Sequence, residues 1–254
     1  VLSDSNKASS SSKNKIVPGK NGNALQLTGD DGVNLGVGNF KRTQPFSVAL
    51  WMNTPHHKKR TVVYSRSKAW TDAGSRGYQM LLRDGHLSTS LIHFWPGNAI
   101  NIRTTAKLPK NEWHHVTMTY NGSARASGLA IYVDGELAET EIHKDNLYKN
   151  ITGGGNDHIV IGQRFRDVGF AKGLVDDFRV FDRELTAAEV AQLHDGQTLA
   201  KLLAKPADAL GQAERAALRA YYLATVNEPH TKQLAKLRAA REKVTQLLDG
   251  KTEI

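Results

Sequence analysis

Short runs of alternating apolar and polar residues dominate the first two hundred positions. Phe46-Ser47-Val48-Ala49-Leu50-Trp51-Met52, Tyr78-Gln79-Met80-Leu81-Leu82, Trp113 to Tyr120 and Leu129-Ala130-Ile131-Tyr132-Val133 carry the period of two that half-buried strands need. Gly, Asn and Asp punctuate them. Asp84-Gly85 lies between Leu82 and Leu87, and Asp134-Gly135 between Val133 and Leu137. In each pair the glycine accepts positive φ without steric cost, so the dipeptide closes a hairpin. No helical pattern separates the runs, which predicts a mainly β fold, an antiparallel sandwich rather than a parallel α/β sheet.

The period changes near the end of this region. Thr186-Ala187-Ala188-Glu189 has the spacing of a capping box, and Val190 and Leu193 follow on one helical face, so a short helix is expected to close the sandwich. From Asp208 to about Thr225, Leu210, Ala213, Ala217, Leu218, Tyr221 and Tyr222 recur at three and four. Leu234, Leu237, Val244, Leu247 and Leu248 do so further on. Val226-Asn227-Glu228-Pro229 interrupts them, because proline disfavours helix in the residue before it. A helical hairpin follows, whose apolar stripes must pack on each other, on the sandwich or on a neighbouring domain.

Composition marks the same boundary. Of 22 glycines, 20 precede residue 200, as do all 4 tryptophans. Residues 1–15 are rich in Ser, Asn and Lys and read as a flexible leader. The expected organisation is therefore a leader over 1–15, a sandwich over 16–200 and a helical hairpin over 201–254 that connects to a further domain. The chain opens on Val1, and its expected origin is an excised or processed piece of a longer protein. With no Cys in 254 residues, disulfides, thiolate metal sites and cysteine nucleophiles are excluded. No apolar run approaches the length of a membrane-spanning helix.

The formal charge of +9 raises the question of nucleic acid. The excess is dispersed, with 10 Lys/Arg against 6 Asp/Glu in 201–254 and 24 against 19 before it. The densest cluster, His56-His57-Lys58-Lys59-Arg60, follows Pro55 and reads as a solvated loop. No nucleic-acid partner is expected.

Several segments, taken in order, resemble laminin-G-like, or concanavalin A-like, jelly-roll domains of the bacterial LamG type. They are Asn23 to Asp31, Pro45 to Trp51, Glu112-Trp113-His114-His115-Val116, Leu129 to Gly135, Ile159-Val160-Ile161-Gly162, and Gly173 to Phe181 followed by Leu185 to Val190. The tail, with Ala217 to Leu223 and the basic helix ending at Thr252-Glu253-Ile254, resembles the connector after such a module in large planctomycete-type cytochrome-associated proteins. The resemblance implies a concanavalin A-like sandwich in an exported bacterial protein, periplasmic or extracellular. It also implies a structural calcium ion held by carboxylate and backbone oxygens near the start of the module and its last strand. The candidates here are Asp30, Asp31 and Asp177, with Asp176 second.

Chemistry is carried by few residues. Trp51, Trp70, Tyr78, His93 and Trp95, with Arg83 and Asn53 as polar partners, are the candidates for a glycan-binding sheet face, since aromatic rings stack on sugars while polar groups fix orientation. Alternation puts Phe46, Val48, Leu50 and Met52 on one face of their strand and Ser47, Ala49, Trp51 and Asn53 on the other. Small residues around Trp51 suit either a ligand groove or a covering segment. Adjacent His114 and His115 point to opposite faces and cannot chelate one ion, so His115 and Trp113 are expected to serve the fold. Glycoside hydrolysis needs two flanking carboxylates. The close pair at strand spacing is Glu139 and Glu141, and the hydrolase pattern Glu-x-Asp-x-x-Glu is absent. Gly153-Gly154-Gly155 lacks the Gly-Lys-Ser/Thr of a phosphate loop and reads as a connection. The expected function is non-catalytic recognition of a glycan. The alternatives are a spacer or protein-interaction module docking neighbouring domains, and a hydrolase on the same fold.

Overall fold

The computed structural model describes residues 9–10, 13–68 and 76–251. Its strands, in chain order, begin with β1 (Ser9–Ser10), β2 (Lys15–Pro18), β3 (Asn23–Gln26), β4 (Val33–Asn34) and β5 (Phe46–Asn53). The middle set is β6 (Thr61–Arg66), β7 (Gly77–Arg83), β8 (His86–Phe94), β9 (Asn98–Lys107) and β10 (Trp113–Tyr120). The last are β11 (Leu129–Val133), β12 (Glu136–Leu137), β13 (Thr140–Asn146), β14 (Val160–Ile161) and β15 (Leu174–Phe181). Four helices follow: α1 (Ala187–Asp195), α2 (Thr198–Ala204), α3 (Gln212–Thr225) and α4 (Glu228–Asp249).

The strands form an eight-stranded sheet, β1-β4-β14-β6-β7-β8-β9-β13, and a seven-stranded sheet, β12-β11-β10-β5-β15-β3-β2. All ladders are antiparallel. Both Asp-Gly turns make hairpins, β7 to β8 and β11 to β12. Asp84 and Gly85 have φ of 53° and 90°, Asp134 and Gly135 of 52° and 85°, the pair of positive values that a type I′ turn needs.

Alternation decides what lies between the sheets. Phe46, Val48, Leu50 and Met52 of β5 meet Met80 and Leu82 of β7, Ile100 and Ile102 of β9, and Val116 and Met118 of β10 in one buried cluster. The other face of β5 is buried too. Ala49 joins Tyr132, Phe181, Leu185 and Val190 in a second cluster, with Leu193 packed against it, so α1 lies on the outside of the smaller sheet. The capping box is present: Glu189 accepts from the Thr186 backbone N–H and hydroxyl, both at 2.9 Å.

The tail departs from expectation in two places. Residue 200 falls inside α2, whose start is capped by Asp195, a carboxylate accepting the N–H groups of Gln197 and Thr198 at 2.9 Å. Pro229 lies within the first turn of α4, where a missing N–H costs nothing, and Asn227 caps that helix by accepting from the His230 N–H at 2.9 Å. The break between α3 and α4 is therefore only two residues. The hairpin's apolar stripes are largely uncovered: Tyr222 is 49% exposed, Leu237 45% and Val244 53%. Polar bonds hold α4 to the sandwich instead, with the Arg42 guanidinium donating to the Thr245 hydroxyl at 2.5 Å and the Thr43 hydroxyl to Glu242 at 2.6 Å.

Candidate functional site

Because Met80 and Leu82 point into the core, Gln79, Leu81 and Arg83 of β7 project from the outside of the larger sheet. Register extends this face across its neighbours. One row runs Ser65, Gln79, Ser90, Asn101, and the next runs Leu81, Ser88, Arg103, Glu141, with Arg83 opposite His86 beyond them. Among the described residues no helix packs closely on this face as α1 does on the other sheet, and its floor is nonetheless buried, with Gln79, Leu81, Ser88, Ser90 and Asn101 all nearly inaccessible.

The first row is a closed polar network. The Asn101 amide donates to the Ser88 and Ser90 hydroxyls at 2.9 and 2.8 Å and to the Thr89 carbonyl at 2.7 Å. The Gln79 carbonyl oxygen accepts from Arg164 at 2.6 Å, and the same guanidinium nitrogen donates to the Ser67 hydroxyl at 2.9 Å. Such a network holds amide and guanidinium planes in fixed positions. The Ser65 hydroxyl at its end is buried with no hydrogen-bond partner among the described residues.

Charge gathers beside it. Arg60 donates to both oxygens of Asp167, at 2.7 and 2.9 Å, and Arg164 reaches the same carboxylate at 2.6 Å. Burial would raise the Asp167 carboxyl, but the two guanidiniums overcome it and hold it below the ordinary value. Burial pushes Arg164 down to about 10, so it stays charged at neutral pH. Arg83 is depressed by burial and by the like charges of Arg60 and Arg103. The segment carrying Arg164 and Asp167 is held along β6, where the Val62 N–H donates to the Val168 carbonyl at 2.8 Å. The same segment exposes Phe165, with the Arg166 guanidinium 5.1 Å from its ring.

The residues expected to share one ligand face do not converge. Arg83 lies on the outer face just described. Trp51 is closed over: its ring lies 5.3 Å from His115 and 5.5 Å from His194 of α1, with the Lys20 ammonium 4.7 Å above it. Asn53 follows Trp51 on the smaller sheet. Tyr78 belongs to the core, packed on Phe46 at 4.6 Å and donating its hydroxyl to the Gly38 carbonyl at 2.7 Å. Its strand parity is that of Met80, which removes it from any outer face. His93 is half-buried against the Asn150 carbonyl, and Trp95 is half-buried at the tip of the β8–β9 hairpin. Trp70 lies outside the described residues. Asn101 and Arg103 were legible from the alternation with Ile100 and Ile102. Arg164 and Asp167 sit in an irregular segment with no period to reveal them.

The acidic residues are also dispersed. Asp31 accepts from the Thr28 hydroxyl at 3.1 Å, while Asp176 accepts from the Asn21 N–H at 2.8 Å and Asp177 from the Asn21 amide at 3.1 Å. Among the described residues no three His, Asp or Glu side chains form a metal-binding group. Glu139 immediately precedes β13 and bonds the Thr105 hydroxyl at 3.1 Å, whereas Glu141 lies 4.0 Å from Arg103. His114 and His115 point apart as alternation requires, the first bonding Asp134 at 2.8 Å.

A sequence profile described as the concanavalin A-like lectin/glucanases superfamily matches residues 27–191, which spans nearly all of the two sheets and α1. The chain belongs to this superfamily. Among solved structures, the fold is similar to the binding domain of Paraclostridial Mosquitocidal Protein 1, with TM-score 0.58 and 18% identity over 75% of this chain and 47% of that one. It is similar to the botulinum neurotoxin serotype G binding domain, with TM-score 0.57 and 18% identity over 77% and 48%. A third is the receptor binding domain of botulinum neurotoxin D, with TM-score 0.53 and 17% identity over 76% and 48%. The chain thus spans about half the length of these structures. No curated protein sequence matches it.

Proposed function

We propose that this protein is a non-catalytic recognition module that binds a glycan on the outer face of its larger sheet. The observation that carries this reading is the asymmetry of the sandwich: α1 closes the outside of the smaller sheet, while the larger sheet sets the partly exposed Arg83 and Arg103 beside a floor of buried polar side chains, Gln79, Ser90 and Asn101. Guanidinium planes match the paired hydroxyls of a sugar, and the preorganised network beneath them lowers the cost of ordering them on binding. Exposed Phe165 offers a ring for stacking at the rim. The likeness to toxin binding domains fits a binding role, and an exported location follows from the same reading. Among the described residues, no helix is long and apolar enough to cross a membrane.

Affinity electrophoresis through gels containing soluble neutral and acidic polysaccharides tests this. Retardation by at least one polymer, lost in Asn101→Ala with folding intact, is expected. Retention that survives Asn101→Ala and Arg103→Ala, or no retention in any gel, would remove the proposal.

A second reading, a scaffold docking a neighbouring domain, is favoured by the uncovered α4 stripe, where Leu234 is 47% exposed and Leu247 73%. Under that reading Leu234→Asp and Leu247→Asp abolish association with the adjoining domain and leave glycan retention unchanged.

A further inference from the structure

Resting on the proposal that the outer face of the larger sheet binds ligand, we infer that the ligand is an acidic polysaccharide whose oxyanions, carboxylate or sulfate, are received by Arg83 and Arg103. The argument is one of unpaired charge. Asp167 is almost fully enclosed, its side chain 1% exposed, and both its oxygens are already taken by Arg60 and Arg164. It therefore neutralises one of two guanidiniums and leaves nothing for a third. Arg103 faces Glu141 only at 4.0 Å, and that carboxylate is 62% exposed and also 3.7 Å from His143. A contact that long and that exposed to water is worth little.

Arg83 has less still. Among the described residues its side chain makes no hydrogen bond and no ion pair, although it is partly buried and stands among like charges. A guanidinium removed from water without a partner is costly to hold, and an oxyanion forked across its donors relieves that cost. The neighbouring turn adds to the field. The Asp84 N–H donates to the Lys58 carbonyl at 3.0 Å, which brings the Lys58-Lys59-Arg60 run beside Arg83, and Lys107 closes β9 opposite His86. Against these cations stand Asp84, Asp167 and Glu141.

The companions of the cations select the polymer class. Ser88 and Ser90 lie in the rows beside Arg103, with Asn101 bonded to both, so the arginines stand beside a buried, uncharged polar floor. A nucleic acid would call for several large aromatic rings interleaved among the cations to stack its bases, and these rows carry no Phe, Tyr or Trp, with Phe165 standing at the rim.

The test titrates the full chain with polygalacturonate, dextran sulfate, neutral dextran and single-stranded DNA, at 50 and 300 mM sodium chloride. Polygalacturonate or dextran sulfate should bind at least tenfold more tightly than neutral dextran, and the higher salt should weaken that binding. The stronger of the two acidic polymers identifies the oxyanion. Arg83→Gln and Arg103→Gln should each weaken it tenfold or more with unchanged melting, while Lys243→Gln on α4 leaves it unchanged. Equal binding of neutral dextran that depends on Asn101 would overturn the inference about charge and keep the glycan face. DNA binding as tight as that of the acidic polymers, with the same arginine dependence, would overturn the polymer class. Acidic binding indifferent to both arginine variants would overturn the site, and no binding to any polymer would overturn both this inference and the reading on which it rests.

Discussion

Trp51 of β5 and His194 of α1 lie with ring centroids 5.5 Å apart, and His115 of β10 completes the cluster of tilted rings at 5.3 Å from the indole and 6.0 Å from the second imidazole. This contact seals the outside of the smaller sheet at the C-terminal end of α1. It explains why a tryptophan with small neighbours, read from alternation as facing outward, does face outward and yet is buried.

Protonating this cluster is expected to loosen it. Burial and the like charge of His194 push His115 down to about 4, with Arg179 adding to the effect and Asp134 and Asp177 opposing it. Its Nδ1 has no hydrogen-bond partner among the described residues. A histidine whose folded value is depressed binds more protons when unfolded, so its contribution is intact above about pH 6.5 and is lost as pH falls towards 4. The full loss would be up to roughly 3 kcal/mol. Urea unfolding at pH 7.5, 5.5 and 4.5 measures it, and His115→Phe should flatten the slope between the first two. An unchanged slope in that variant would assign the acid sensitivity elsewhere.

How much of this was legible in the sequence depended on period. The β5 alternation gave both of its faces, and the two Asp-Gly pairs gave both hairpins. Alternation assigns faces within one strand, however, and carries no sign of which sheet that strand joins. Trp51 and Arg83 therefore seemed to share a surface although they lie on opposite sides of the sandwich. Basic His56 to Arg60 read as a solvated loop because its partner Asp167 is more than a hundred positions away, and such pairing leaves no local trace.

Arg42 should act as the pin of the helical hairpin. Its guanidinium is buried and donates to the Thr245 hydroxyl at 2.5 Å and to the Leu147 carbonyl at 3.0 Å, and burial lowers its proton affinity. Little apolar surface of α4 is covered, so polar bonds carry its docking, and those of Arg42 are the buried ones beside the more exposed contacts of Glu242 and Asp249. Arg42→Ala is expected to cost about 2 kcal/mol and to speed amide hydrogen exchange in α4 well beyond that in α1. Equal acceleration in both helices would indicate general destabilisation instead.

Calcium can be tested without any ligand. The Asp31 carboxylate is turned to Thr28, and those of Asp176 and Asp177 are turned to Asn21. Melting curves with excess calcium and with chelator decide whether these carboxylates hold an ion, since an ion bound only to the folded state raises the midpoint and curves coinciding within about 1 °C would count against one. A reproducible rise of several degrees, abolished in Asp31→Asn, would establish a site that backbone oxygens complete.

Asp167 is the residue whose loss should be most costly. It is the shared acceptor of Arg60 and Arg164, and Arg164 is only 3% exposed. Asp167→Asn would leave a buried guanidinium uncompensated, which typically costs about 3–5 kcal/mol. Replacing Arg164 and Asp167 together by Met and Leu removes the most buried guanidinium with its counterion, at the cost of the bonds that Arg60, Gln79 and Ser67 make to them, so part of the loss should be recovered. Denaturant midpoints should therefore fall for the single variant and recover in part in the double one. Asp167 also gives the site an acid limit: its folded value lies below the ordinary one, so its contribution is present at neutral pH and fades as pH drops through that folded value. In the double variant Arg60 also loses its acceptor while Arg83 and Arg103 remain. Retained binding of acidic polymer by that protein would separate the arginines that receive ligand from those that shape the face.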